Sequence, residues 1–224
     1  MTSAKSVGRV IGVLMLAHLA TGLIVPYVLL QPLTALPAGF LETAAGMSTR
    51  VRVNVLVLFV GGAIPVATTI AAWPVVRRHG HALGLTLLTL AGVNMSLQIV
   101  ENGHWLSMLS LSQAYAKATP ADAALFQSLG GVVGSAWKWE HYAHIFIVVA
   151  WIFVLYGALY RYALVPRFLA VVGLVTAVLQ FVGITLPVFL DYRMPFPALF
   201  GMPLGVANVS LASWLIAYGF KEPR

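Results

Sequence analysis

Residues 166–188 read PRFLAVVGLVTAVLQFVGITLPV, a run of 23 residues in which the only charged side chain is Arg167. A helix needs about 20 mostly apolar residues to cross the hydrocarbon layer of a membrane, which is roughly 30 Å thick. Comparable stretches predict five more crossing helices, at residues 7–30, 53–75, 82–109, 139–161 and 198–219. The sequence therefore predicts an all-α fold, a polytopic transmembrane bundle of about six helices in which residues 1–224 form a single integral membrane domain.

The composition excludes an ordinary soluble domain, because 60% of the 224 residues are hydrophobic and only 8% are charged. The net charge of +7 comes from basic residues that stand singly or in pairs between apolar stretches. This pattern predicts no nucleic-acid partner, and the lipid bilayer is the expected partner. The absence of cysteine removes disulfides, thiolate metal ligands and cysteine nucleophiles from the available chemistry.

The basic residues also predict the orientation of the bundle. Six crossings place eight of them on one side and five on the other. The first group is Lys5, Arg9, Arg77, Arg78, Arg161, Arg167, Lys221 and Arg224, and the second is Arg50, Arg52, Lys117, Lys138 and Arg193. Because cytoplasmic loops carry an excess of Lys and Arg, both chain termini are expected in the cytoplasm.

Two predicted helices carry ionisable groups at membrane depth, where such groups are rare and usually functional. On the third helix, a polar stripe at helical spacing consists of Asn94, Gln98, Glu101 and Trp105, and His104 flanks it. On the fourth helix, a similar stripe consists of Trp137, His141 and His144, with Glu140 one turn from His144. If these helices run antiparallel, the two stripes lie at similar depth in the outer half of the bilayer and can converge.

One hypothesis for this cluster is an enzyme that needs no metal. Burial would keep the carboxyl group of Glu101 protonated, so that it acts as a general acid on a hydrophobic, lipid- or isoprenoid-like small molecule. The substrate pocket would be lined by Asn94, Gln98, Trp105 and Trp137. The tryptophans could stabilise a cationic intermediate through their ring faces.

A second hypothesis is a metal centre. Glu101 and His104 form a Glu-x-x-His pair, which di-iron carboxylate bundles use for ligation. The predicted metal ligands are His104, Glu140, His141 and His144. Iron or zinc would suit such nitrogen and oxygen ligands better than magnesium.

Other interpretations of the same residues stay open. Asn102-Gly103 is a turn signal that could end the third helix and leave Glu101 and His104 at the wet interface. Similar openings of the first and fifth helices allow a transporter or channel built from inverted repeats, which would need a water-accessible path. A non-catalytic membrane partner subunit would need only a small-residue interface.

Several local signals predict structure without chemistry. Thr119, Pro120 and Asp122 indicate a capped helix start leading into a short interfacial helix over residues 123–129. Buried amides are expected to form hydrogen bonds between helices, and they are Asn54, Gln180 and Asn208.

Three stretches of the chain resemble a bacterial membrane family catalogued as domain of unknown function 4386. They are SLSQAYAKATPADAALFQSLGG at residues 110–131, LYGALYRYALVPRFLAVVGLVTAV at residues 155–178 and SWLIAYGF at residues 213–220. The resemblance is best over the second half of the chain. It implies a bundle of six or seven helices in the bacterial plasma membrane, and it supplies no activity, cofactor or catalytic residue.

Overall fold

A computed structural model describes residues 3–24, 39–189 and 198–221, and within these ranges the chain is helical with no strand. The α-helices in this part are α1 (Ala4–Leu19), α2 (Phe40–Thr43), α3 (Ser48–Val76), α4 (His81–Tyr115), α5 (Ala123–Arg161), α6 (Arg167–Phe189) and α7 (Ala198–Tyr218). The predicted all-α fold is confirmed.

Six segments are long and apolar enough to cross a membrane: Ala4–Gly22, Ala45–Val76, His81–Tyr115, Pro120–Arg161, Arg167–Leu186 and Phe200–Tyr218. Large apolar side chains on their outer faces are exposed, as at Phe168 and Val175. Such faces are suited to lipid rather than to water. The chain is therefore a multi-pass membrane protein that contacts the bilayer, as predicted.

The third predicted helix does not end at Asn102-Gly103, because α4 continues to Tyr115. The side chain of Asn102 accepts a hydrogen bond from Gln98 Nε2 (3.2 Å) and donates one to the carbonyl oxygen of Val55 on α3 (3.3 Å). In a turn, an asparagine side chain forms a hydrogen bond with a nearby backbone group of its own segment. Here the side chain is already bonded to Gln98 and to Val55, so it does not interrupt the backbone hydrogen bonds of α4. The interpretation that left Glu101 at a wet helix end is therefore wrong.

The fourth predicted helix starts 16 residues earlier than expected, at Ala123 instead of residue 139. Thr119 and Asp122 do form the predicted capping box around a short 3₁₀ turn, in which the Thr119 hydroxyl donates to Asp122 Oδ2 (2.7 Å). The helix continues through Gly130-Gly131 without a break, so the predicted interfacial helix at residues 123–129 is the first part of α5. The prediction of a separate helix there is wrong.

The first helix was predicted over residues 7–30. In the structure α1 is followed by a π-helical turn at Ala20–Ile24. Residues 25–30, Arg193 and Arg224 lie outside the described part of the chain.

The helices pack as two compact units. Unit 1 comprises Met1–Leu19, Ala63–Asn94 and Ile145–Arg224, and α1 packs there against α7. Gly8 allows this contact, because a Cβ at that position would collide with the backbone of Gly219 and Phe220. Small residues that bring backbones close together are a standard means of helix association in lipid.

Unit 2 comprises Ala20–Gly62 and Met95–His144. Its apolar core consists of Phe40, Leu41, Ala44, Val51, Leu58, Trp105, Met108 and Leu109. The buried hydroxyl of Ser112 joins α2 to α4, because it donates to the carbonyl oxygen of Leu41 (2.7 Å) and accepts from the backbone N–H of Ala45 (2.8 Å). All the ionisable residues of the predicted site belong to this unit.

Candidate functional site

The carboxyl group of Glu101, in the middle of α4, contacts two imidazoles of α5. Glu101 Oε1 lies 2.8 Å from Nδ1 of His141, and Glu101 Oε2 lies 2.7 Å from Nδ1 of His144. The two histidines are three residues apart, so one face of α5 presents both rings. The predicted convergence of Glu101, His141 and His144 is thus seen in the structure.

These bonds define what the three groups can do. An ionised carboxylate only accepts hydrogen bonds, so with Glu101 ionised both imidazoles donate through Nδ1–H. A carboxylate that holds one ring nitrogen fixes the tautomer and the orientation of the imidazole. In His141 this directs the chemistry of the ring to the other nitrogen, Nε2.

The three side chains differ in their access to the surroundings. The side chain of Glu101 is 7% exposed and that of His144 is 11% exposed, whereas that of His141 is 42% exposed. His141 is therefore the member of the cluster that a molecule from outside unit 2 can reach. Glu101 is covered by its two partners.

Two indole rings extend this cluster. Trp137 precedes His141 by one turn of α5, and the two rings are stacked with their centroids 5.4 Å apart. Trp105 of α4 packs against Trp137, with ring centroids 5.0 Å apart. Of the two predicted aromatic residues, Trp137 thus lies directly beside the imidazole of His141, and Trp105 contacts Trp137.

Several buried polar atoms of unit 2 have no hydrogen-bond partner among the described residues. They are Nε1 of Trp105, Nε1 of Trp137, both amide atoms of Asn54 and Oε1 of Glu140. Neither amide atom of the fully buried Asn54 has a partner there, so the predicted hydrogen bond from Asn54 to a neighbouring helix is not found. In contrast, the prediction for Asn208 is confirmed, since it accepts a hydrogen bond from the Tyr156 hydroxyl at 2.9 Å.

The other two predicted substrate-binding residues are buried but are not in the Glu101 cluster. Gln98 donates to Asn102, and Asn94 belongs to unit 1. The role of Asn102 in joining α4 to α3 was missed, because Asn-Gly was interpreted as a turn. The four-residue spacing of Gln98 and Asn102 is the signal that could have identified it.

The predicted metal centre is not supported. Nδ1 of His141 and Nδ1 of His144 are already bonded to Glu101, and neither His104 nor Glu140 forms a hydrogen bond or ion pair with this cluster. Across residues 3–24, 39–189 and 198–221, no group of three or more His, Cys, Asp or Glu side chains is arranged to hold a metal ion. The four predicted ligands are therefore not arranged to coordinate iron or zinc.

Unit 1 contains a small cavity of about 30 Å³, which is room for one or two water molecules. Its lining is mainly apolar and includes His18, Thr68, Trp151 and Asn208. A lipid-sized molecule could not enter it without rearrangement of the helices. The cavity is therefore a poor candidate for a site that binds a lipid-sized substrate.

A family model described as domain of unknown function (DUF4386) matches residues 10–219 of the chain. The match covers nearly the whole sequence, so the chain belongs to this family. No curated protein and no solved structure is matched by the chain. The comparisons therefore establish the family, and the six apolar helices indicate an integral membrane protein.

Proposed function

We propose that this member of the DUF4386 family is a membrane enzyme that transfers protons to and from a hydrophobic, lipid-like small molecule. The observation that carries the proposal is the bonding of one buried carboxylate to two imidazoles at 2.8 and 2.7 Å within apolar helices. A buried ionisable cluster is costly in a membrane protein and usually marks function. Unlike a surface ion pair, this cluster has two largely buried members, Glu101 and His144, and only His141 is open to its surroundings.

His141 is the group that meets the substrate in this proposal. Its exposed ring takes a proton from the substrate at Nε2 and returns it, while Nδ1 stays bonded to Glu101. Histidine suits this task because its protonation changes near neutral pH. Trp137 holds the ring in place by stacking on it.

Glu101 is assigned here a positioning role in place of direct attack on the substrate. Both of its oxygens are bonded to imidazole nitrogens, so a substrate cannot reach either one without breaking a short hydrogen bond. The carboxylate instead balances the charge that His141 gains when it accepts a proton. His144 is the second donor that keeps Glu101 in this position.

The proposed location is the bacterial plasma membrane, with both termini in the cytoplasm. The excess of Lys and Arg on the side of the termini supports this orientation. The cluster would then act on molecules in the outer half of the bilayer, because α4 runs outward and α5 returns.

The proposal can be tested without knowing the substrate. The purified protein is reconstituted in liposomes made from a bacterial lipid extract and incubated in D₂O, and the lipids are then washed with H₂O and analysed by mass spectrometry. A proton-transfer enzyme leaves deuterium on carbon in its substrate, whereas deuterium on oxygen washes out. We expect the wild type to label at least one lipid and His141→Ala to lose the labelling.

Two further variants make the test specific. His104→Ala is the matched control, because His104 lies on the same helix as Glu101 but does not bond to the cluster, and it should keep the wild-type labelling. Glu101→Gln should keep the fold but change the pH profile of labelling, since the amide cannot balance the charge on His141. If no lipid gains carbon-bound deuterium above protein-free liposomes, or if His104→Ala and His141→Ala behave alike, the proposal fails.

A further inference from the structure

We infer that the molecule bound beside His141 carries a neutral oxygen that accepts hydrogen bonds, such as a carbonyl, and that Trp105 and Trp137 donate to it. The inference extends the proposed function by naming the polar group of the substrate. As a statement about binding, it can be tested separately from any turnover.

The evidence is a set of hydrogen-bond donors without acceptors. Nε1 of Trp105 and Nε1 of Trp137 are buried and have no partner in the described part of the chain. Leaving such a group unpaired costs about 1 to 3 kcal/mol, and folded proteins keep few of them. Here two occur on rings whose centroids are only 5.0 Å apart.

Asn54 adds a third unpaired donor on a neighbouring helix. It lies between Val51 and Leu58 at helical spacing, and both of these residues belong to the core cluster that contains Trp105. Its amide is fully buried, and neither polar atom has a partner. Donors from α3, α4 and α5 therefore occur within a single unit around the same core.

One of these donors, Trp137, contacts His141, the member of the cluster that is open to its surroundings. Trp137 stacks on His141 at 5.4 Å, so an oxygen held by the indole N–H lies close to the imidazole. The side chain of His141 is 42% exposed, which provides the side from which a ligand can approach.

The chemistry of the donors selects the ligand. An indole N–H can only donate, and two such donors match the two lone pairs of one oxygen atom. An anionic head group would call for a basic partner, but the nearest Lys on α5, Lys138, lies over the ring of Trp139 instead. A neutral carbonyl oxygen satisfies the indoles without bringing a charge into an apolar core.

A carbonyl at this place would also explain the position of His141. When His141 Nε2 takes a proton from the carbon next to the carbonyl, the electrons of the C–H bond form a C=C bond and negative charge moves to the oxygen. Hydrogen-bond donors that are already in place stabilise such charge as it develops. Return of the proton to carbon restores the ketone, so the cycle needs no further reactant.

The inference can be tested by nuclear magnetic resonance on protein labelled with ¹⁵N at the indole nitrogens, in detergent micelles. The probe is 2-undecanone, and the control ligand is undecane, which has the same chain length and no acceptor. We expect the indole proton signals of Trp105 and Trp137 to move downfield with the ketone and to stay in place with the alkane. Trp105→Phe and Trp137→Phe assign the two signals.

Trp151 is the internal control, because its Nε1 already donates to Thr69 Oγ1 at 3.3 Å. Its signal should not respond to either compound. Trp105→Phe should weaken the binding of the ketone by roughly fivefold, which corresponds to the loss of one hydrogen bond.

Three results would overturn the inference: no movement of the Trp105 and Trp137 signals, equal movement with ketone and alkane, or movement of the Trp151 signal by the same amount. The test does not depend on catalysis. Ketone binding without deuterium transfer would refute the proposed enzyme and leave the binding site standing. Deuterium transfer without a selective response of the two indoles would refute the binding site and leave the proposed enzyme standing.

Discussion

The two compact units differ in their buried polar atoms. Those without a hydrogen-bond partner among the described residues all lie in unit 2, where other polar groups such as Ser112 and Asn102 are paired. In unit 1, Trp151 donates to Thr69, and Tyr156 donates to Asn208. In unit 2, the same kinds of groups on Trp105 and Asn54 have no partner within the described residues. Both units are built from apolar helices suited to lipid, so a difference in their surroundings does not explain why one unit has unpaired polar atoms and the other has paired ones.

The difference separates structural polar groups from groups kept for another purpose. An unsatisfied polar group inside a membrane protein costs free energy, and a paired one contributes modestly to helix association. The pairs of unit 1 need no further explanation. The unpaired groups of unit 2 lower stability, which is expected where a protein binds or transforms a ligand.

The largest effect is expected at the carboxylate of Glu101. Glu101→Ala removes the common acceptor of His141 and His144, so both imidazoles lose their hydrogen bond to the carboxylate. Breaking one side of a buried pair of this kind lowers the free energy of unfolding by about 3 kcal/mol. Thermal unfolding in detergent, followed by circular dichroism, measures the change.

His104→Ala is the matched comparison for Glu101→Ala, because it also removes a polar side chain from α4. It should change the free energy of unfolding by less than about 1 kcal/mol. Equal destabilisation by the two variants would show that the cluster contributes nothing specific to unit 2.

Replacing either of two asparagines should change the free energy of unfolding by a smaller amount, with opposite signs at the two positions. Asn208→Leu removes the acceptor of the buried Tyr156 hydroxyl and should destabilise the protein by about 2 kcal/mol. Asn54→Leu replaces an unpaired amide with an apolar group of similar size and should stabilise the ligand-free protein by about 1 kcal/mol. Denaturant titration of both variants tests the signs, and destabilisation by Asn54→Leu would mean that Asn54 has a structural partner.

The smallest effect distinguishes two tryptophans. Trp151→Phe and Trp105→Phe remove the same ring volume from a buried site, but only Trp151 donates a hydrogen bond to the protein. Trp151→Phe should therefore be more destabilising by about 1 kcal/mol. If parallel melting curves instead show Trp105→Phe to be equally or more destabilising, the contrast between the units does not extend to their indoles.

Much of the architecture followed from the sequence, because the bilayer sets both the length and the polarity of a crossing helix. The run at residues 166–188 corresponds within one residue at each end to α6. The end of α4 and the start of α5 were misjudged, since the helices were predicted to end at residue 109 and to begin at residue 139, and Thr119-Pro120 indicated a separate helix between them. Tertiary hydrogen bonds and helix continuity overcame these local signals.

The site was predicted in part for a similar reason. Helical periodicity identified Glu101, His141 and His144, because it fixes which residues share a face. It could not show that both imidazoles would use Nδ1 toward the carboxylate, since side-chain torsions depend on packing. Nor could it show that Asn54 would lack the partner that a buried amide normally has.

The 39 residues of α5 amount to about 58 Å of continuous helix, nearly twice the thickness of a hydrocarbon core. Fitting all of it inside the membrane would demand a tilt of about 60°, far beyond what membrane helices adopt. A substantial part of α5 must therefore stand clear of the acyl chains. A membrane protein of only 24.0 kDa is too small for its particles to be aligned easily in electron microscopy. The part of α5 outside the acyl chains is a suitable place to attach a fusion partner or an antibody fragment that adds mass.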